Sequence, residues 1–477
     1  MKLNYIHKQI TEDTLTPVSV CLTLRDHFTN VVLLESNAFE HEKGNFSIIA
    51  CDPIKTITAI GKNSIKLIVN KNVCEKHNLD IKLELINFIK SFSIPELELN
   101  IPNHGIFGYI SNDITYVLEP KLNPDESKFE LPLYSFSFYK ILIVFDHYKQ
   151  QIHSIIYDED KNSIIENQNK LFYAFKNVLS NKNHFSKINR CESILSDKEL
   201  LKLFEKAKKH CQRGDIFQVV LSKRLKQKFM GDEFEVYRHL RQLNPSPYLF
   251  FFDFGDFKLF GSSPEAQLLI KKNKAEIHPI AGTRKLKHLN IENVSLEKEL
   301  LTDPKENSEH VMLVDLARND LSKSADNVKV SSFKQIEKFS HVMHIVSKVT
   351  GDIQGIDKKI NLIFDTFPAG TLSGAPKFKA LSIINKNEPE LRNFYGGTIG
   401  FIDLNGNCNM AILIRSVLSR KYELHYQAGA GIVINSQPQL ELKEIYNKLK
   451  VVELAIENAS SSSKHIKEIK HENTFVG

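Results

Sequence analysis

The spacing of short apolar runs constrains this fold most: they come in clusters bounded by turn residues, with helical stretches at irregular intervals between them. Between residues 17 and 150 the runs 31–34, 46–50, 55–60, 65–69, 106–110 and 141–145 read as strands. Asp52-Pro53, Gly61-Lys62-Asn63 and Leu122-Asn123-Pro124-Asp125 punctuate them, since such residues favour turns over ladder positions. One helix is expected at about 79–91. A segment rich in Asn, Lys and Gln follows, with one amphipathic helix built on Ile164, Leu171, Phe172, Phe175 and Val178. A second block opens on the capping box Ser196–Glu199 and a helix that Gly214 ends. Its expected strands lie at 216–221, 248–252, 257–260, 267–270, 275–280, 395–403, 409–417 and 424–433, and its helices at 297–321, 335–350 and 438–459. Strands and helices do not alternate regularly, which argues against a doubly wound or barrel architecture and for an α+β fold with large, mainly antiparallel sheets. The expected division is an N-terminal α+β unit at 1–155, a connection at 156–190, a larger unit at 191–459 and an unstructured polar tail at 460–477.

Bulk properties exclude several function classes. A chain of 477 residues exceeds one ordinary domain. The net charge of +6 is dispersed, with no basic block interleaved with aromatics, so no nucleic-acid partner is expected. No apolar stretch approaches the ~20 residues of a membrane span, and no signal peptide opens the chain. The six cysteines form no Cys-x-x-Cys pair and read as reduced thiols of a cytoplasmic protein.

The residues most suggestive of chemistry are two pairs of carboxylates. Glu306 and Glu309 lie three apart in one expected helix, and Glu441 and Glu444 repeat the spacing in the last one. Each pair shares a helix face. Either is an ordinary solvated face by itself; converging, the four would need a cation, and hard oxygen donors suit Mg²⁺. Gln427–Gly431 is a small-residue string open to anion contact or to a tight turn. Arg415 interrupts an apolar strand and needs an anion, either a structural carboxylate or a substrate's. Lys448, one turn after Glu444, is either its surface partner or a second anchor. Loops at 261–265, 279–284 and 370–376 add hydroxyls and ionisable groups at the rim of a sheet.

Taken together, GDIFQVVLS (214–222), GSSPE (261–265), HPIAGTR (278–284), EHVMLVDLARNDL (309–321), SHVMHIVS (340–347), TLSGAPK (371–377), ILIRS (412–416), QAGAGIV (427–433) and the Glu-x-x-Glu-x-x-Asn-Lys of 441–448 resemble the chorismate-utilising enzyme family across nearly the whole chain. The resemblance implies that family's fold, in which the sheets form a sandwich flanked by helices. It also implies chorismate as substrate and Mg²⁺ as cofactor. Glu309 and Glu444 would hold the metal, and Glu306 and Glu441 its waters. Lys448 and the amides of Gly429, Ala430 and Gly431 would meet the ring carboxylate. Arg415 and Tyr395, with Gly282 nearby, would meet the enolpyruvyl carboxylate. Glu265 would be the general acid and His344 an assistant to pyruvate elimination, with Thr371 orienting substrate and Thr283 near the leaving group.

Family branches that activate water resemble one another in carrying a lysine where this chain has Gln218, so ammonia becomes the implied nucleophile. Branches that aminate C4 carry lysine where this chain has Ala281. Amination at C2, giving anthranilate and pyruvate, is therefore implied; C4 amination for the folate branch is the alternative. No cysteine sits in a Gly-x-Cys-x-Gly elbow, so a glutamine amidotransferase subunit would supply the ammonia. Glu35 and Ser36, with Pro245, Ser246, Pro247 and Tyr248, resemble the two segments of a tryptophan feedback site. Asn45 and Lys285-Leu286-Lys287 depart from the family's pattern.

Overall fold

Strand Phe46–Gly61 organises the architecture. Its first half pairs with Val32–Glu35 and its second with Ser64–Val69, while Tyr134–Asp146 runs along its whole other side. The two long strands change register at Pro53/Lys55, next to Asp52 at φ 61°. The Asp52-Pro53 turn expected from sequence is thus a bulge within one strand, because one extra residue kinks the ladder without reversing the chain. The structure, a computed structural model, describes residues 1–11, 14–36, 45–95, 99, 101–122, 129–176, 183–287, 290–338 and 342–472.

Past that bulge the ladder divides into two sheets. In the first, Val32–Glu35 is followed in order by Tyr248–Asp253, Lys258–Ser263, Ser416–Arg420, Glu423–Ile432, Gln218–Gly231 and Phe185–Glu192. In the second, Tyr134–Asp146 leads to Gly105–Ile110, Thr398–Asp403, Cys408–Ile412, Ala266–Lys271, Lys274–Ile277 and Val342–Asp352. All these pairings are antiparallel. Strands from the two expected units interleave, Val32–Glu35 beside Tyr248–Asp253 and Gly105–Ile110 beside Thr398–Asp403, so the ladders cross between them.

Side-chain alternation builds the core. Ile48, Ala50, Phe250, Phe252 and Leu259 of the first sheet share one buried cluster with Phe107, Ile399 and Met410 of the second. Their neighbours Ile49, Cys51, Phe251 and Phe260 face the other way. They lie under helices Pro17–His27, Asp197–Gln212, Phe234–Leu243, Lys377–Asn387 and Pro438–Glu472. This is the sandwich flanked by helices. Among the described residues no helix is long and apolar enough to cross a membrane.

Four sequence expectations are corrected. The helix expected at 335–350 is strand, Asp326–Lys338 and Val342–Asp352. Val342, Ile345, Val346 and Val349 carry a helical period, but β-branched residues pairing on both sides favour the sheet. The single helix 297–321 is two, Asn290–Thr302 and Pro304–Leu321, with Pro304 opening the second under an Asp303 cap. Strand 409–417 breaks before Ser416, where Arg415 adopts φ 48°. The last helix does not stop at Ala459 but runs to Glu472, since no Gly or Pro follows Pro438 within it. Of the polar tail, residues 473–477 lie outside the described residues, as do 339–341 and 123–128 of the expected motifs and turns.

Candidate active site

Glu265 stands where Pro264 ends the strand Lys258–Ser263. Its backbone carbonyl accepts the Ile412 N–H at 3.0 Å, which fixes the residue to the neighbouring strand. Its carboxylate accepts the Thr371 hydroxyl at 3.0 Å. Burial pushes this carboxyl up to about 7; the Thr371 bond and the charges of Lys448 and Arg415 pull against the rise. A group so poised holds a proton near neutrality and can deliver it. A cavity of about 40 Å³, lined by Glu265, Thr371, Ile412 and Leu313, adjoins it.

Arg415 follows strand Cys408–Ile412 in a left-handed conformation and is held by one side-chain bond, Nη1 donating to Asn244 Oδ1 at 3.2 Å. Among the described residues no carboxylate lies within ion-pair distance of it, although it feels the charge of Glu265. Burial lowers its pKa. Among the described residues no structural carboxylate pairs with Arg415, which leaves the guanidinium able to take an incoming anion. Asn244 was not singled out by sequence reasoning as its holder; Asn244 in turn donates to Ser246 and Ser262.

His344 lies opposite Thr283 across paired strands. Its Nδ1 is 2.9 Å from the Gly282 carbonyl and 3.1 Å from Thr283 Oγ1. Burial lowers its pKa, the bond to the Gly282 carbonyl opposes this and the Arg415 charge adds to it; the carbonyl at Nδ1 holds the ring proton on that nitrogen. Gly282, at φ 65°, has Glu306 Oε2 only 3.2 Å from where a Cβ would stand, so a side chain there would be strained and crowded.

The glutamates approach from two helices. Glu309 accepts Gln218 Nε2 at 3.2 Å, and Gln218 packs against Gly431, where an added Cβ would meet its amide at 2.3 Å. Glu306 accepts Arg284 at 3.5 Å, and Arg284 is shared with Glu299 and Asp303. Glu441 is buried, whereas Glu444, three residues on, is exposed and pairs with Lys448 at 2.7 Å. The face expected to be common to both is therefore divided, because three residues leave a turn of about 60° between side chains. Glu309 is pushed up by burial, then by Glu306 and Glu444; Glu441 by burial, then by Glu444. Carboxylates from both helices thus share one field.

Among the described residues no three acidic, histidine or cysteine side chains form a ready-made ligand cluster. Mg²⁺ does not require one, since one or two carboxylates with water and a substrate anion suffice. The mutual repulsion and all-oxygen donors fit such an ion.

Lys448 pairs with Glu444, as its surface-partner reading has it, and also donates to the Gly429 carbonyl at 2.8 Å. Gly429, Ala430 and Gly431 are strand residues, opposite Ser222, Leu221 and Val220, and not a turn. The Gly429 backbone hydrogen-bonds the Tyr395 phenol, and a Cβ on Gly429 would lie 3.0 Å from that oxygen. Tyr395 sits in the turn before strand Thr398–Asp403 and is buried.

The second expected site is also brought together by pairing, Glu35 opposite Leu249. The Glu35 carboxylate accepts Tyr237 at 2.6 Å and Arg241 Nε at 2.8 Å. Ser36 N–H bonds the Phe46 carbonyl. Ser246 is buried, Pro245 and Pro247 flank it, and burial pushes Tyr248 up to about 12.

The profile of the family described as chorismate binding enzyme matches residues 30–453. The anthranilate synthase component 1 of Aquifex aeolicus is 35% identical over 488 aligned residues, covering 96% of this chain and 95% of that protein. The protein of the same name from Lactococcus lactis is 37% identical, covering 92% and 97%. The crystal structure of anthranilate synthase component I from Streptococcus pneumoniae superposes with a TM-score of 0.74 at 30% identity, over 87% of this chain and 93% of that one.

Proposed function

The chain belongs to the chorismate binding enzyme family, and from that premise we propose that it aminates chorismate at C2, forming anthranilate and pyruvate. The carrying observation is the pairing of Glu265, a carboxyl poised near neutrality, with Arg415, a buried cation that no carboxylate of the described residues neutralises. The naming of relatives that match over more than nine-tenths of the chain supports the same reading.

In this mechanism Arg415 and Tyr395 grip the enolpyruvyl carboxylate, and Lys448 meets the ring carboxylate. Glu309 and Glu444 would hold Mg²⁺, and Glu306 and Glu441 its waters; the ion supplies positive charge to the ring carboxylate. Ammonia attacks C2, both ring double bonds shift by one position, and the C4 hydroxyl leaves as water with the proton of Glu265. Thr371 keeps that carboxyl aimed. The C2 proton then passes to a base, the C3–O bond breaks, the released enolpyruvate takes a proton at its methylene carbon to become pyruvate, and the ring becomes aromatic. The Nε2 lone pair of His344 is the base assigned to this elimination, with Thr283 and Gly282 fixing its tautomer. Gln218, an amide committed to Glu309, cannot deprotonate water, which leaves ammonia as nucleophile.

The ammonia comes from a glutamine-hydrolysing partner, and tryptophan inhibits by binding beside Glu35, Ser36 and 245–248. The test is product identification. Chorismate, Mg²⁺ and ammonium with the purified chain should yield fluorescent anthranilate; 4-amino-4-deoxychorismate as product would overturn the regiochemistry, and isochorismate would overturn the nucleophile.

A further inference from the structure

The turn that carries Tyr395 is tied down from the N-terminal part of the chain. Strand Gly105–Ile110 ends in the short helix Asn112–Ile114. From there Ser111 Oγ and Asn112 N–H both donate to the Asn393 carbonyl at 2.7 Å. Asn112 Nδ2 donates to the Gly396 carbonyl at 3.2 Å, and Asn393 N–H donates to Asp113 Oδ1 at 3.1 Å. Ser111, Asn112, Asp113 and Asn393 are all buried, and Asn393 is left-handed at φ 55°. Asn393 Nδ2 donates to Glu130 Oε2 at 2.8 Å, which fixes the amide's orientation because the carboxylate accepts only N–H. That leaves Asn393 Oδ1 and Asp113 Oδ2, two buried oxygens without a donor among the described residues.

We propose that Asp113 is a positioning residue for the substrate site, holding the Asn393 turn and thereby setting where the Tyr395 phenol stands against Gly429. The inference rests on the reading of Tyr395 as a substrate partner. Asp113 does this as a neutral acid. Buried acceptors without donors are costly, and a proton on Asp113 Oδ2 turns one of the two into a donor. Burial pushes this carboxyl up to about 7, aided by Glu130 and opposed by the Asn393 N–H, Arg224 and Arg392. Tyr109 and Tyr116 are the other titratable groups that feel it. The clamp is complete below that pH and loosens as pH rises through it.

Asp113→Asn keeps an acceptor for the Asn393 N–H and offers an amide donor at every pH; Asp113→Leu offers neither. Steady-state kinetics on either side of pH 7 should show the wild-type KM for chorismate rising as the proton is lost and the Asn variant's KM staying level. The Leu variant's KM should rise about tenfold, the effect of one buried hydrogen bond, with kcat little changed. Infrared difference spectra, wild type minus Asp113→Asn, should show a protonated carboxyl band that vanishes at higher pH; this readout needs no substrate and no Leu variant. A wild-type KM in the Leu variant, or no such band, overturns the proposal. If Tyr395→Phe leaves the chorismate KM unaltered while the band is present, the substrate-site reading fails and the clamp stands.

Discussion

Two knots of buried polar side chains differ in how completely they are satisfied. Around Glu35 the strong groups answer one another: the carboxylate takes the Tyr237 hydroxyl and the Arg241 guanidinium. Around Glu265 pairing is partial: a carboxyl rests on one hydroxyl, and Arg415 on one neutral amide. Desolvation of that kind is tolerated where an incoming group supplies the missing charge. A ligand enters the satisfied knot only by exchanging partners; the unsatisfied one can take up an anion without that exchange. Asn244 lies between them, next to Pro245 and Ser246 and bonded to Arg415.

The comparison breaks most sharply at Glu265. Replacing it with Gln should reduce turnover by about a hundredfold to ten-thousandfold while chorismate binding persists, checked by kinetics and by direct binding. Arg415→Gln should raise the chorismate KM about ten- to hundredfold and leave the Tm almost unchanged, because no internal carboxylate loses a partner; a large drop in Tm would show that Arg415 is structural after all. Glu35→Leu should do the opposite, costing about 1–3 kcal/mol in denaturant unfolding by stranding Arg241 and Tyr237, with tryptophan inhibition lost and ammonia-dependent turnover retained.

The smallest effect concerns pH. With the Glu265 pKa raised to about 7, kcat should fall as pH rises through that value, since the acid form is the active one. Arg415 opposes the rise, so Arg415→Gln should move the limb upward. This carboxyl binds its proton more tightly folded than unfolded, so its contribution to stability weakens as pH climbs from the ordinary carboxylate range to about 7. A limb that stays put in the Arg415 variant would mean that the two groups do not sense each other.

Much of this was legible in the chain. The strand runs at 31–34, 65–69, 106–110 and 248–252 appear close to where they were expected, because each is a short apolar run bounded by turn residues. The capping box at Ser196 is present as read, since it is a local contract between a hydroxyl and a carboxylate three residues on. The stretch 335–350 was misread because its apolar spacing satisfies a helix, and only its sheet partners on both sides exclude one. Candidate residues could be chosen by type and spacing, but their partners could not. Nothing local shows that Asn244 would hold Arg415, or that Glu441 would turn inward while Glu444 turned out.

Sequence alone determined the periodicities, the caps and the inventory of acids, bases and amides from which the chemistry is drawn, because those depend on neighbours a few residues away. Tertiary structure alone decided that strands from both ends of the chain share two ladders, that Glu309 and Glu444 feel each other, and that the Tyr395 turn hangs from Asp113. Burial and long-range pairing set those outcomes, and both depend on residues hundreds of positions apart arriving at the same place.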